Sequence, residues 1–140
     1  MASGSKLSIL VIDDHESLVK YLKMHLEMCG FEVQVAQEGA VGIEIARSFP
    51  PTAVLCDITL PDMDGFAVAA ALKQIPALAH TRLIAISGFD LSPEPEKLAK
   101  AGFEKSLMKP FDADELQQLL LDLTASEGQP PPYPAPGGGG

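Results

Sequence analysis

"TAVLCDITLPDMDG", residues 52–65, decides how the rest of the chain is read. An apolar run stops on an acid, Asp57, and gives way to a loop with Pro61 and Asp64-Gly65. Short continuous apolar runs of this kind are strands buried on both faces, the mark of a parallel sheet. After the loop, "GFAVAAALKQI" is a small-residue helix with Asp64 placed as its N-cap. The unit is therefore strand, loop, helix. The question is whether Asp57, Asp62 and Asp64 do chemistry or shape the loop.

The same unit recurs on either side. "LSILVI" (7–12) is a buried strand ending at Asp13-Asp14, and "HESLVKYLKMHLEMCG" spaces Leu18, Leu22, Leu26 and Cys29 helically up to Gly30. "FEVQVA" (31–36) alternates as a strand, and "GAVGIEIARSF" is a short helix facing inward through Val41, Ile45 and Ala46, stopped by Pro50-Pro51. "TRLIAIS" (81–87) is a strand ending on a hydroxyl, followed by "LSPEPEKLAKAG" as a helix delayed by Pro93 and Pro95. "FEKSLMK" (103–109) is a last strand ending on a lysine. "FDADELQQLLLDL" then carries the capping pair Asp112 and Glu115, with an apolar stripe at Leu116, Leu119, Leu120 and Leu123. Five β-α repeats predict an α/β fold with one parallel sheet and helices on both faces, joined by right-handed crossovers.

The 140 residues, 46% apolar, suit one folded domain. Residues 6–125 form that domain. Residues 1–5 read as a disordered N-terminus, and the Pro/Gly-rich 126–140 as a disordered tail or linker. A net charge of −9 argues against direct nucleic-acid binding and against an anionic membrane surface. "MASGSK" has no apolar signal-peptide core, and no run approaches the roughly 18 apolar residues of a membrane span. Cys29 and Cys56 have no metal-ligand spacing and lie in apolar patterns, so both read as buried free thiols. The expected location is cytoplasmic.

In parallel α/β sheets, ligands bind beyond the carboxyl ends of the strands. Strand one ends at Asp13-Asp14, strand three at Asp57, strand four at Ser87 and strand five at Lys109; strand two ends in "AQEG", without a comparable group. If strand two lies at the edge, in the order 2-1-3-4-5, strands one and three are neighbours and their three carboxylates share a crevice. Such a crevice requires a cation. Oxygen ligands with room for water suit Mg2+, while Lys109 and Ser87 suit phosphoryl oxygens. The set fits a carboxylate nucleophile in phosphoryl transfer. Taken singly, each group has a plainer explanation as a turn, cap or solvated loop. Their coincidence on one edge of the sheet favours the joint functional reading. His15 and His25 have no soft ligand near them in sequence and are not read as metal ligands.

At this point the chain resembles the receiver domain of two-component response regulators, from about Lys6 to Leu123. The resemblance rests on "VIDD" (11–14), "CDITLPDMDG" (56–65), "AISGF" (85–89) and "MKPF" (108–111). It implies a flavodoxin-like (βα)5 three-layer sandwich with sheet order 2-1-3-4-5. It also implies that Asp57 is the phosphoacceptor, taking a phosphoryl group from a phosphohistidine of a histidine kinase or phosphotransfer protein, to regulate a downstream protein. Asp14 would meet Mg2+ directly, Asp13 mainly through water, and the Thr59 carbonyl would complete the metal site with Asp57. Lys109 would pair with the phosphoryl group, Ser87 would move to bind it, and Lys109-Pro110 would be cis. Helix one, exposing His15, Glu16, Lys20 and Lys23, would face the kinase. Many members carry an aromatic residue where this chain has Ser106, so the aromatic part of the usual switch is missing. "ISGF" and "AGFEKSLMKPF" are closer to receivers of hybrid kinases than to those of transcription factors. The set of acids and lysine is complete, which counts against a module that works without phosphate. Thr59 stands where a haloacid-dehalogenase-like phosphatase needs a second Asp, and Asp13-Asp14 would repel a flavin phosphate. An EF-hand starting at Leu60 lacks its twelfth-position Glu, which is Ala71 here.

Overall fold

A computed structural model describes residues 7–88 and 94–125. The two termini, and the start expected for the fourth helix at residues 91–93, lie outside the described residues. The elements are β1 (Ser8–Ile12), α1 (Glu16–Met28), β2 (Glu32–Ala36), α2 (Gly39–Ser48), β3 (Ala53–Asp57), α3 (Gly65–Lys73), β4 (Arg82–Gly88), α4 (Pro95–Ala101), β5 (Phe103–Lys109) and α5 (Ala113–Ala125). A short 3-10 turn, Pro76–Leu78, sits between α3 and β4.

The five strands are parallel and ordered β2-β1-β3-β4-β5. β2 is therefore an edge, and β1 lies against β3, as the fold reading requires. Alternate side chains of each strand feed two separate cores. Leu10, Ile12, Val54, Cys56 and Ala85 pack with Ala46, Val68, Leu72 and Leu98 of α2, α3 and α4. Ile9, Val11, Leu55, Ile84 and Ile86 pack with Leu22 and Leu26 of α1 and Leu116, Leu120 and Leu123 of α5. β3 is buried along its whole length, which explains why its sequence is apolar without alternation.

The helix ends follow local chemistry. Gly30 stops the chain after α1 with φ of 100°, a conformation that only glycine adopts freely. Asp64 caps α3 by accepting from the Ala67 amide at 2.8 Å, and Asp112 accepts from the Glu115 amide at 2.8 Å at the start of α5. Pro95 occupies the first turn of α4, where its missing N–H costs nothing.

Two expectations need correction. Val41 faces outward, 45% exposed, because α2 lies on the sheet through its small residues: a Cβ on Gly42 would strike Ile12, so the helix packs closely there. Cys29 is exposed rather than buried, since it follows the last residue of α1, past the helical turns that cover the sheet. Cys56 is buried as expected, and burial pushes its thiol well above the ordinary range. Both thiols are free.

Candidate functional site

The carboxyl ends of β1, β3, β4 and β5 lie side by side. Ile12 pairs with Cys56, Asp57 with Ile86, and Gly88 with Lys109, so the residues that end these strands gather at one edge. Asp13 leaves β1 and is fully buried, tied to the sheet by its own amide donating to the Ala36 carbonyl at 3.0 Å. Asp14 is next to it and partly exposed. Asp57, the last residue of β3, is 4% exposed. The Thr59 amide donates to its Oδ1 at 2.8 Å, and the Lys109 ammonium to its Oδ2 at 3.1 Å. Lys109 also sits 2.9 Å from Asp13 Oδ2. Ser87 is buried, one residue beyond Ile86, the partner of Asp57. The Lys109-Pro110 bond is cis, as the resemblance implied.

Three carboxylates thus face one ammonium. Burial raises the pKa of Asp57; the Thr59 amide opposes this, the Asp13 charge adds to it, and Lys109 lowers it, with a net rise. Burial pulls Lys109 down, but its hydrogen bonds and charge pairs with Asp13 and Asp57 outweigh that and hold it above the ordinary lysine range. Asp13 Oδ2 is buried against the Lys109 ammonium, 2.9 Å away. A cleft that holds three carboxylates keeps a net negative charge beside this single ammonium, which fits a site completed by a cation. One oxygen each of Asp13, Asp14 and Asp57 and a ring nitrogen of His15 all lie within 4.8 Å of one another, close enough to share a metal ion.

The structure therefore gathers Asp13, Asp14, Asp57 and Lys109 and sets Ser87 on the adjoining strand end. Thr59 stands beside Asp57 through its amide and pairs with Asp64 in an isolated antiparallel bridge. Two participants were missed in the sequence. His15 turns its ring into the acidic cluster, with Nδ1 2.8 Å from Asp13 Oδ1. Asp62, the middle acid of the loop after β3, accepts from the Gly39 amide at 2.8 Å and the Ala40 amide at 3.0 Å, and so caps α2 from another loop. Those amides, Ala40 first and then Gly39, hold the Asp62 carboxyl below its ordinary value. Among the described residues, no helix is long and apolar enough to cross a membrane.

Comparison with known proteins agrees with this geometry. BarA, a signal transduction histidine-protein kinase of Escherichia coli K12, is 30% identical over 122 residues, or 87% of this chain and 13% of its own. The chain thus spans a small part of that relative. The photosynthetic apparatus regulatory protein RegA of Cereibacter sphaeroides is 32% identical over 129 residues, covering 92% of this chain and 68% of its own. A CheY-like receiver domain from Methylobacillus flagellatus superimposes with a TM-score of 0.76 at 28% identity, covering 85% of this chain and 99% of that one. The family model of the response regulator receiver domain matches residues 9–121, a span that takes in every acid of the cleft and Lys109, and the chain belongs to that family.

Proposed function

We propose that this receiver domain accepts a phosphoryl group on Asp57 from a phosphohistidine of a kinase or phosphotransfer protein, in a Mg2+-dependent reaction, and thereby regulates a downstream protein. The observation that carries the proposal is the environment of Asp57. Its carboxylate ends a rigid buried strand, and a backbone amide and an ammonium fix its two oxygens in place.

An Asp57 oxygen attacks phosphorus, the P–N bond of the phosphohistidine breaks, and the donor imidazole leaves as the neutral ring once it holds a proton. The Lys109 ammonium, now on Asp57 Oδ2, offsets the added negative charge. The Ser87 hydroxyl, one strand over, hydrogen-bonds a phosphoryl oxygen and draws the end of β4 toward the site. Asp13, Asp14, Asp57 and the Thr59 carbonyl hold Mg2+, which when bound supplies positive charge to the acids and to the transferring group. Hydrolysis of the acyl phosphate by water restores Asp57, so the chain catalyses its own phosphorylation and dephosphorylation and acts as a switch rather than on an external substrate. The exposed start of α1, where Lys20 pairs with Glu16, lies beside the cleft and faces the phosphodonor partner.

The test is intact-mass measurement after incubation with a small phosphodonor, with and without Mg2+. The expected result is one added phosphoryl group that requires Mg2+ and is absent from Asp57→Asn. An Mg2+-independent adduct, or one that survives in Asp57→Asn, overturns the assignment.

A further inference from the structure

Phosphoryl acceptance leaves one group in the cleft without work. His15 precedes α1 as its N-cap residue, yet its side chain makes no capping bond. The ring turns toward the acids instead. Its Nδ1 lies 2.8 Å from Asp13 Oδ1, 3.6 Å from Asp14 Oδ1 and 3.0 Å from Lys109 Nζ. The His15 amide donates to the same Asp13 oxygen at 2.9 Å, so backbone and ring converge on one carboxylate. Nδ1 thus lies against carboxylate oxygens that only accept, and an ion bound there takes the place of the proton that Nδ1 shares with Asp13 Oδ1, the ring keeping its proton on Nε2. Separately, Asp13 is fully buried and cannot turn away from the ring, its Oδ2 meeting the same Lys109 ammonium at 2.9 Å.

Carboxylates and water suit hard ions such as Mg2+. Imidazole adds affinity for borderline ions and little for Mg2+. We propose that His15 makes this cleft a mixed nitrogen–oxygen site, which takes Co2+ or Ni2+ through Nδ1 together with the carboxylates and favours these ions over Mg2+ more than the acids alone do. The inference rests on the reading of the cleft as a metal site. It assigns His15 the role of a ligand that sets which metal is held. At 63% exposure the ring is open to an ion arriving from solution.

The experiment is calorimetric titration of the untagged, unphosphorylated chain with Mg2+, Co2+ and Ni2+, alongside visible spectra of the Co2+ form. His15→Ala and His15→Asn are compared with wild type. His80→Ala, which alters an exposed histidine outside the cluster, serves as control. Both His15 variants are expected to bind Ni2+ at least about tenfold more weakly and Mg2+ within about threefold of wild type, and to lose the nitrogen-ligand shift of the Co2+ spectrum. The control is expected to match wild type. Equal Ni2+ affinity and an unchanged Co2+ spectrum in His15→Ala overturn the inference. If Mg2+ still binds wild type and is lost in Asp13→Asn, the metal site stands without it. No binding of any of the three ions overturns both.

Discussion

Asp57 holds its proton to higher pH in the folded chain than in the unfolded one, because burial and the Asp13 charge outweigh the help of the Thr59 amide and Lys109. The stability it contributes therefore falls as pH rises from the ordinary carboxylate value of 3.8 through its elevated one. Above that range the folded state carries a penalised charge. Asp57→Asn removes it, and at neutral pH without divalent ions we expect its Tm to exceed wild type by about 2–4 °C. The gain should vanish below about pH 4, where both forms are neutral. Calorimetry across that range checks the sign, and a variant less stable than wild type at pH 7 counts against it. Lys109 has a profile of the same sign, displaced to alkaline pH. Its contribution is complete below 10.5 and is lost as pH climbs through its raised value. The identities of Asp13, Asp57, Ser87 and Lys109 were legible because each ends an apolar run. The direction of the His15 ring was not, since "DDH" in a sequence says nothing about where a side chain turns.

At the scale of elements, the loop between β3 and α3 is held by two constraints. A Cβ on Gly65 would lie 2.7 Å from the Asp57 carbonyl oxygen and 2.8 Å from Ile58 Cα, backbone atoms that cannot step aside. Gly65→Ala should therefore cost about 1–3 kcal/mol in urea unfolding. It should also slow the proposed phosphorylation, because the displaced backbone belongs to Asp57. Asp62 is the second constraint. Asp62→Ala should raise hydrogen exchange at the Gly39 and Ala40 amides several-fold and leave the start of α3 unchanged. The loss caused by Asp62→Ala should shrink at acid pH, because a carboxyl held below its ordinary value stabilises only while ionised. The cap at Asp64 was readable from its own sequence, since its partner is three residues away. That of Asp62 was not, because its partners are 23 and 22 residues upstream and only the packing of α2 brings them near. The 3-10 turn at Pro76–Leu78 escaped notice for a related reason: three residues show no periodicity.

For the whole molecule, the central strands belong to both cores at once. Leu55 points to the side of α1 and α5, and Leu72 of α3 packs on the other. Leu55→Ala and Leu72→Ala should each cost about 3 kcal/mol and each shift one common unfolding transition. Separate transitions for the two faces would show that the layers are independent. The strand order came with the family resemblance, whereas the layers were legible from the alternation of apolar strands and helices, because burial on both faces leaves a pattern that survives small errors in element ends. The dimensions of the cleft were not, since they depend on register.

That register has a consequence for when the site can exist. His15 and Lys109 are 3.0 Å apart in space and 94 positions apart along the chain. Contacts of such separation close only after the intervening chain has been ordered. A fragment that stops before β5 carries all three acids and no ammonium to hold them together. A growing or truncated polypeptide therefore has Asp57 without the ammonium that pairs with it, and only the finished sheet assembles the cleft.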